Sequence, residues 1–231
     1  MYPFKIISLY LQTGMSVCKF WFSNMNTTRE RILAIALYYF IKKPYTEVTM
    51  SEILKASGLS KGGFYHHFES KEILYHEVID KFILGTFKME YEHFNSNPYD
   101  LPFSEFVPAY IKSTFGHLLE ITNSELGDLK LDIKDINLYM VMFDMLRYYK
   151  GFGTILNELH HNEIAMFKTF IDKAKEKGEI RKEIDSLSLA NHVHTLMHGI
   201  SVLAMFEGGM DKNIEKDIRD QFNNLYQLIK T

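Results

Sequence analysis

Apolar residues recur every three or four positions through most of this chain, which is the period of helices that pack on one side. In the first such segment, Thr27 or Thr28 can cap the start of a helix. Pro44 ends this helix near Lys43, because a proline ring disfavours helical backbone in the residue before it. The apolar face of the helix consists of Ile32, Leu33, Ala36, Leu37 and Phe40.

Helical patterns continue towards the end of the chain, and no strand pattern competes with them. Gly178 and Gly208 stand where two of the later helices would end, as C-terminal caps. We therefore predict an all-α fold. The further helical segments cover about residues 49–57, 60–68, 70–84, 103–123, 127–149, 154–177, 187–207 and 211–229.

A tight turn between two short helices is predicted at ASGLS, residues 56–60. Gly58 can adopt a positive φ at little cost, and Leu59 can fill the gap between the helices. Ser60 can cap the helix that follows. Helix, turn and helix together predict a helix-turn-helix over about residues 49–68.

The segment SKGGFYHHF, residues 60–68, places Gly62 and Gly63 near the start of the second helix. Each glycine costs a helix interior about 1 kcal/mol relative to alanine. Bare backbone at this position would let the helix approach a DNA phosphate closely. A phosphate-binding loop of the nucleotide-hydrolase kind is excluded, because the lysine precedes the glycines and no strand pattern precedes them. A flexible helix start stays open as an alternative.

Composition and charge agree with a globular nucleic-acid reader. The 231 residues are 46% hydrophobic and 14% aromatic, which is ample for a buried core. The single cysteine, Cys18, excludes an internal disulfide and a cysteine-only zinc site. Residues 26–76 carry seven basic and five acidic side chains, whereas residues 77–231 carry 17 and 24. A slightly basic head on an acidic body fits a DNA-binding head with a separate, non-binding body.

The first 25 residues are apolar with sparse charge, so a signal peptide or a membrane anchor has to be considered. Lys5, Gln12 and Lys19 interrupt the apolar run, which never approaches the roughly 18 consecutive apolar residues of a spanning helix. No small-residue cleavage site follows it. We interpret residues 1–25 as an appended upstream leader with Met25 as the true start, and we predict a cytoplasmic protein without a membrane partner.

Two segments together resemble the DNA-binding region of the TetR family (TetR/AcrR type) of transcriptional regulators. They are RERILAIALYYF, residues 29–40, and TMSEILKASGLSKGGFYHHFESKEIL, residues 49–74. The resemblance is firm over about residues 26–84. It implies a DNA-binding domain over residues 26–86 and a helical ligand-binding and dimerisation domain over residues 87–231.

The resemblance further implies a homodimer that places one recognition helix per subunit in the major groove of a palindromic double-stranded operator. The family's phosphate contacts fall on Thr49, Ser60, Tyr65 and Lys71. Its recognition-helix contacts fall on Lys61, Gly62, Gly63, His66 and His67.

The chain departs from the family pattern at three places. Leu54-Lys55 stands where the family more often has a small residue, and Pro44 stands where a glycine usually ends the first helix. Both changes affect packing more than the DNA face. The pair His66-His67 replaces more predictable base readers, so the operator sequence is not determined.

The body contains apolar and aromatic residues at helical spacing, and some of them could line a pocket for a small molecule. Most such residues belong to an ordinary core. The ligand-binding candidates are Phe115, Tyr139, Met142, Phe143, Leu146, Tyr149, Phe167, Phe170, His194 and His198.

The last helix carries an apolar stripe opposite a charged face. Such a stripe either packs on its own body or docks in a four-helix dimer interface, as the family resemblance implies, and we predict the dimer. The stripe consists of Ile214, Ile218, Phe222, Leu225 and Ile229.

Metal binding and catalysis receive little support from the pattern. His194 and His198 are four residues apart, a spacing that zinc can use, but such a pair is more often a hydrogen-bonded core or interface feature. His160-His161 with Glu163 is a weaker candidate, because adjacent side chains point in different directions. No nucleophile elbow, metalloprotease motif or nucleotide-binding fingerprint is present. We therefore predict no cofactor, no metal and no enzymatic activity.

The resulting hypothesis is a ligand-responsive repressor that binds DNA as a dimer and is released by a small molecule of unknown identity. Two alternatives stay open. One is a regulator that responds to a protein partner or to no effector. The other, more remote, is a helical metal-dependent enzyme using His194 and His198.

Overall fold

The computed structural model describes the backbone of residues 27–85, 88, 91, 94, 101–123, 125–126, 129–130, 138–206 and 213–231, and the side chains of these except 115–139 and 205. The leader at residues 1–25 and Gly208 lie outside the described residues. Over the described part the fold is all-α, as predicted, apart from one hairpin whose two strands have two residues each.

The chain divides into two compact units. One unit takes the residues up to Met89 together with His117–Phe152, and the other takes Glu90–Gly116 and Gly153–Thr231. The predicted boundary at residue 86 lies close to the first division. The segment His117–Phe152, however, falls in the same unit as the N-terminal head, although the sequence placed it in the body.

The head begins with four helices. They are α1 (Thr28–Lys42), α2 (Met50–Ser57), α3 (Lys61–Tyr65) and α4 (Lys71–Val78), and α4 continues as a π-helical segment over Ile79–Leu84. Thr27 caps α1 through a reciprocal capping box with Glu30, which confirms the predicted start. The predicted apolar face of α1 is at most 3% exposed throughout.

The remaining elements include five further helices. They are α5 (Phe103–Asn123), α6 (Leu138–Tyr148), α7 (Phe152–Glu176), α8 (Ser186–Phe206) and α9 (Ile214–Ile229), with strands β1 (Glu125–Leu126) and β2 (Leu129–Lys130) paired antiparallel between α5 and α6. The prediction of one helix over 127–149 is wrong at its N-terminal end, where β2 lies. Gly178 has a φ of 74° directly after α7, as expected of a cap glycine.

The apolar stripe of α9 is covered by its own subunit. Ile214, Ile218, Phe222 and Ile229 are each at most 6% exposed, and Leu225 is half-buried. The Phe222 ring meets the Phe103 ring edge to face at 5.7 Å. The subunit itself therefore buries most of this stripe, and its role in a dimer interface stays a prediction.

Among the described helices, none combines the length and the apolar character that a membrane crossing requires.

Candidate nucleic-acid interface and histidine cluster

Helix α2 is positioned by its capping box. The Thr49 hydroxyl accepts from the Glu52 backbone N–H at 3.2 Å and donates to the Glu52 carboxylate at 2.9 Å. The Thr49 backbone N–H donates to the same carboxylate at 2.9 Å. Both donor groups of Thr49 therefore point at Glu52, so the phosphate contact predicted for Thr49 would require one of these bonds to break.

The turn between α2 and α3 has the predicted chemistry. Gly58 has a φ of 68°, in the left-handed region that glycine adopts without strain. Leu59 is half-buried. Ser60 caps α3, and its Oγ accepts from the Gly63 N–H at 3.2 Å. This bond uses a lone pair of Oγ, so the hydroxyl hydrogen is not consumed by the cap.

Helix α3 separates an apolar side from a solvent-facing side. Phe64 and Phe68 are at most 1% exposed, with their rings 5.9 Å apart, and they hold α3 against the head. On the other side, Tyr65 is 41% exposed. Lys61 and His66 are also exposed. The chain thus presents a cation, a phenol and an imidazole together on one short helix.

The two glycines of α3 differ in their surroundings. A Cβ at Gly62 would meet no atom within 4 Å, whereas one at Gly63 would lie 3.4 Å from Ser60 Oγ. Gly62 is exposed and Gly63 is half-buried. At Gly62, therefore, nothing inside the subunit requires the absence of a side chain.

Two other predicted contact residues point less clearly outwards. His67 is half-buried, with its ring 5.4 Å from that of His66. The Lys71 ammonium donates to the carbonyl of Val48 at 2.6 Å and to that of Tyr45, and it lies 4.2 Å from the Tyr45 ring centre. Burial lowers the pKa of Lys71. Lys71 thus secures the loop before α2, which leaves one of its three N–H donors for a phosphate.

A joint between the loop after α1 and helix α6 was missed by sequence reasoning. The Tyr45 backbone N–H donates to the Asp144 carboxylate at 2.6 Å, and the Tyr45 ring stacks on Tyr148 at 4.5 Å. The His76 imidazole on α4 lies 3.2 Å from the Tyr148 carbonyl. Aromatic residues at Tyr45 and Tyr148 were a weak signal, but Asp144 had none, because its partner is 99 positions away.

The predicted ligand-binding residues are divided between the two units of the chain. Met142, Phe143 and Leu146 lie on α6 and are 37–53% exposed. Tyr149 donates to the Asp80 carboxylate at 2.5 Å, and burial together with this bond raises the pKa of Tyr149 to about 12.

Of the other aromatic candidates, two are core residues of the second unit and two have side chains outside the described residues. Phe167 and Phe170 are core residues, at most 6% exposed, and Phe170 stacks on Phe106 at 3.5 Å. The side chains of Phe115 and Tyr139 lie outside the described residues.

His194 and His198 do lie together, and the structure adds His160 and Glu163 to them. The rings of His194 and His198 are 4.3 Å apart, and the His160 ring lies 5.0 and 5.2 Å from them. Glu163 Oε2 is 2.9 Å from His198 Nε2 and 3.2 Å from His194 Nε2. The Tyr110 hydroxyl donates to Glu163 Oε1 at 2.7 Å. Residues from α5, α7 and α8 therefore meet at one point in the second unit.

This histidine cluster, defined as His160, Glu163, His194 and His198, is electrostatically organised. Burial alone would raise the pKa of Glu163, but the His194 and His198 imidazoles and the Tyr110 hydroxyl lower it below its ordinary range overall. Burial, followed by the neighbouring His198 and His194, lowers the pKa of His160. The place of His160 beside His194 and His198 has no signal in the spacing along the chain, because it depends on the contact between α7 and α8.

Comparison with known proteins agrees with the geometry of the head. Residues 32–78 match the family model described as bacterial regulatory proteins, tetR family. Over 50 residues the chain is 46% identical to the uncharacterised HTH-type transcriptional regulator YerO of Bacillus subtilis, covering 22% of this chain and 17% of that protein. Over 52 residues it is 42% identical to the HTH-type transcriptional regulator QacR of Staphylococcus aureus, covering 22% of this chain and 28% of that protein. These matches thus span less than a third of either relative.

A solved structure extends the likeness of fold to most of the chain. The reduced form of Escherichia coli NemR superposes with a TM-score of 0.56 at 16% identity, covering 89% of this chain and 98% of that chain. At this identity the likeness concerns the fold.

Proposed function

We propose that this chain, whose residues 32–78 match the tetR family of bacterial regulatory proteins, is a transcriptional regulator that binds a palindromic DNA operator as a homodimer and acts as a repressor. Such a protein works with chromosomal DNA in the cytoplasm. Members of the family are typically not enzymes, and we assign the chain no reaction.

The observation that carries this function is the solvent-facing side of α3. Lys61, Tyr65 and His66 are exposed there. Beside them, a Cβ placed at Gly62 would contact nothing outside its own helix and its chain neighbours within 4 Å. A helix that enters the major groove needs donors and a slim surface on the side turned to the bases and phosphates. Phe64 and Phe68 fix the opposite side, so the exposed side chains are held on a rigid element.

We assign the contacts according to donor chemistry. Lys61 contacts a phosphate, because an ammonium on a flexible stem is a point donor. Ser60 contributes its hydroxyl hydrogen, and Tyr65 its phenol. His66 and His67 face base edges or the sugar-phosphate backbone through their ring nitrogens. Thr49 and Lys71 act mainly by holding α2 and the preceding loop.

We assign the response to a small molecule to α6, which belongs to the same unit as the head. Helix α6 carries the joint to Tyr45 and presents Met142, Phe143 and Leu146 as exposed apolar side chains. A ligand that shifts α6 would alter the loop that Lys71 and Tyr45 stabilise, and would thereby change the fraction of molecules able to bind DNA.

Apolar and cationic compounds that raise the melting temperature of the protein and release it from DNA would support this assignment. If none does so, a protein partner or no effector is the better interpretation.

Selection from duplexes with a randomised core tests the DNA-binding function. We expect enrichment of a twofold-symmetric sequence whose half-sites lie about one helical turn apart. Failure to enrich any sequence at low salt would contradict the proposed function.

Lys61→Ala then tests the assigned phosphate contact. Loss of one phosphate contact should weaken binding to all sequences and reduce the magnitude of the slope of log K against log salt by about 1. The measurement is a salt titration by fluorescence anisotropy on the selected duplex. Lys182→Ala, which removes an exposed lysine from the second unit, is the matched control. An unchanged slope in Lys61→Ala would remove Lys61 from the phosphate contacts.

A further inference from the structure

We propose that His160, Glu163, His194 and His198 form a binding site for a divalent transition-metal ion, and that zinc is the ion this set of ligands fits. The site lies entirely within the second unit, whereas α3 belongs to the first unit. It does not depend on whether the chain binds DNA.

Convergence of ligand atoms is the first observation. One ring nitrogen from each of His160, His194 and His198 lies within 4.8 Å of the other two. Two nitrogen ligands of a tetrahedral zinc ion are about 3.3 Å apart, as Zn–N bonds of about 2.0–2.1 Å require. Small rotations of the exposed His198 ring and of the His160 ring are enough to close this difference. The side chain of His198 is 48% exposed, which gives an ion a path into the cluster.

The second observation is a nitrogen that the protein leaves without a hydrogen bond. His194 Nε2 is buried and has no hydrogen-bond partner, although it lies 3.2 Å from Glu163 Oε2. The two atoms are close enough but are not aligned for a hydrogen bond. Buried polar atoms are nearly always paired, so an ordinary hydrogen-bonded network accounts for His198 but not for His194. An ion between the two imidazoles and the carboxylate accounts for both.

The carboxylate has the surroundings of a metal ligand. The Glu163 side chain is only 12% exposed, and its Oε2 faces the two imidazoles. Its other oxygen, Oε1, accepts from the Tyr110 hydroxyl at 2.7 Å. Metal-ligating carboxylates are usually oriented by such a hydrogen bond from a neighbouring residue. Tyr110 is therefore a positioning residue, and Glu163 Oε2 is the oxygen ligand.

Local backbone geometry brings these ligands together. His160 and Glu163 are three residues apart on α7, and His194 and His198 are four apart on α8, so each pair lies on one face of its helix. Three imidazoles and one carboxylate favour zinc and neighbouring transition metals, whereas calcium and magnesium prefer oxygen ligands. A bound ion would fix α7 to α8 through all four ligands.

The experiment uses the full chain, free of any histidine tag and stripped with a chelator. Zinc binding is measured by competition with a chromophoric chelator, and cobalt binding by its visible ligand-field absorption. We expect one ion per chain, a rise in melting temperature with added zinc, and an absorption typical of cobalt held by nitrogen and oxygen in a site of low coordination number.

Matched variants separate this site from incidental binding by surface histidines. His160→Gln and His198→Gln each remove one ligand and should weaken zinc binding at least 10-fold, whereas Tyr110→Phe should weaken it about 10-fold or more through Glu163. His161→Gln on α7 and His192→Gln on α8 are the controls, because both are exposed and lie outside the cluster. We expect the controls to bind zinc within about twofold of the parent chain, which is far smaller than the loss of a ligand.

The outcomes divide cleanly. Saturable zinc binding that His160→Gln and His198→Gln each weaken at least 10-fold, with both variants retaining the circular dichroism of the parent chain, supports the site. Absence of saturable zinc and cobalt binding overturns it. Equal zinc affinity in the ligand variants and the controls also overturns it.

Discussion

At the scale of single residues, Gly62 is the position where stability and function make opposite demands. A helix gains about 1 kcal/mol from alanine in place of glycine in its interior, and less near its end. Apart from its chain neighbours and the backbone of its own helix, no described atom lies within 4 Å of a Cβ at Gly62. The fold would therefore accept alanine, and the demand for glycine has to come from outside the subunit.

Gly62→Ala should stabilise the protein while weakening DNA binding. The added methyl group reduces the freedom of the unfolded chain, so we expect the free energy of unfolding to rise by up to about 1 kcal/mol. The same methyl group stands on the surface assigned to the DNA, and we expect binding to weaken about 10-fold or more, the effect of losing roughly 1.4 kcal/mol. Urea unfolding and anisotropy on the selected duplex measure the two effects.

Gly153→Ala provides the matched control for this pair of effects. Gly153 is the second residue of α7, as Gly62 is of α3, and a Cβ there also meets nothing within 4 Å. Gly153→Ala should raise the free energy of unfolding about as much as Gly62→Ala does, but it should leave DNA affinity unchanged. Unchanged affinity in Gly62→Ala would mean that the helix start does not approach the duplex closely.

How far the sequence predicts the interface depends on whether a side chain's partners are local. Ser60, Lys61 and Tyr65 were predicted correctly as a cap and two exposed residues, because the i,i+3 cap and the burial of Phe64 and Phe68 follow from spacing alone. The phosphate contact of Lys71 stays a prediction, and its bond to the Val48 carbonyl, 23 positions away, has no local signal in the sequence. In the histidine cluster, the sequence predicted that His194 and His198 lie together, because their spacing within α8 is visible. It did not predict their contact with His160 and Glu163, because that contact joins α8 to α7.

At the scale of elements, α2 depends on one acidic residue that serves several partners. Glu52 closes the capping box with Thr49 and also pairs with Lys43. The Lys43 ammonium and the Thr49 hydrogen bonds lower the pKa of Glu52 from 4.5 to about 2. A carboxyl with a depressed pKa stabilises the folded state fully above its unfolded pKa.

We expect a pH-dependent contribution from Glu52 that is complete above about pH 4.5 and is lost as the pH falls towards 2. Because Glu52 is partly exposed, the contribution should stay below about 1 kcal/mol. Glu52→Gln keeps an amide that can close the capping box but removes the charge. The free energy of unfolding of this variant should therefore approach that of the parent between pH 6 and pH 3.

Urea unfolding at both pH values measures this change, and Glu47→Gln, at an exposed position in the loop before α2, is the control. A gap between parent and Glu52→Gln that stays constant from pH 6 to pH 3 would show that the charge of Glu52 is not what stabilises α2.

Elements whose ends are set by local chemistry were predicted well, and those set by tertiary packing were not. The bounds of α1 and α2 follow from Thr27, Thr49 and Gly58, whose effects act within one turn. The change from α-helix to π-helix at Ile79 leaves no such mark. The stripe of α9 was identified correctly as apolar, but its periodicity could not tell whether α5 or a second subunit covers it.

At the scale of the whole molecule, the burial of the α9 stripe leaves a different surface for a second copy of the chain. Two large apolar side chains remain exposed near the end of α8, three positions apart: Leu203 by 61% and Phe206 by 66%. Exposed apolar groups of this size mark association surfaces when they occur together. Helices α8 and α9 pack against each other, so a twofold-symmetric partner could cover both.

The double variant Leu203→Asp with Phe206→Asp should therefore convert the proposed dimer to a monomer. Burial of each of these side chains contributes about 1.5–3 kcal/mol to the free energy of association. A twofold interface contains each residue twice, so the double variant removes four such contributions. We expect the dimer to dissociate at least 100-fold more readily, as followed by sedimentation velocity over a range of concentrations. Affinity for the palindromic duplex should fall as the dimer dissociates, because each half-site is then bound by a single subunit.

Leu146→Asp, which changes a residue 48% exposed on α6, should stay dimeric as the control. A double variant that keeps its native circular dichroism and still sediments as a dimer would place the subunit contact on another surface.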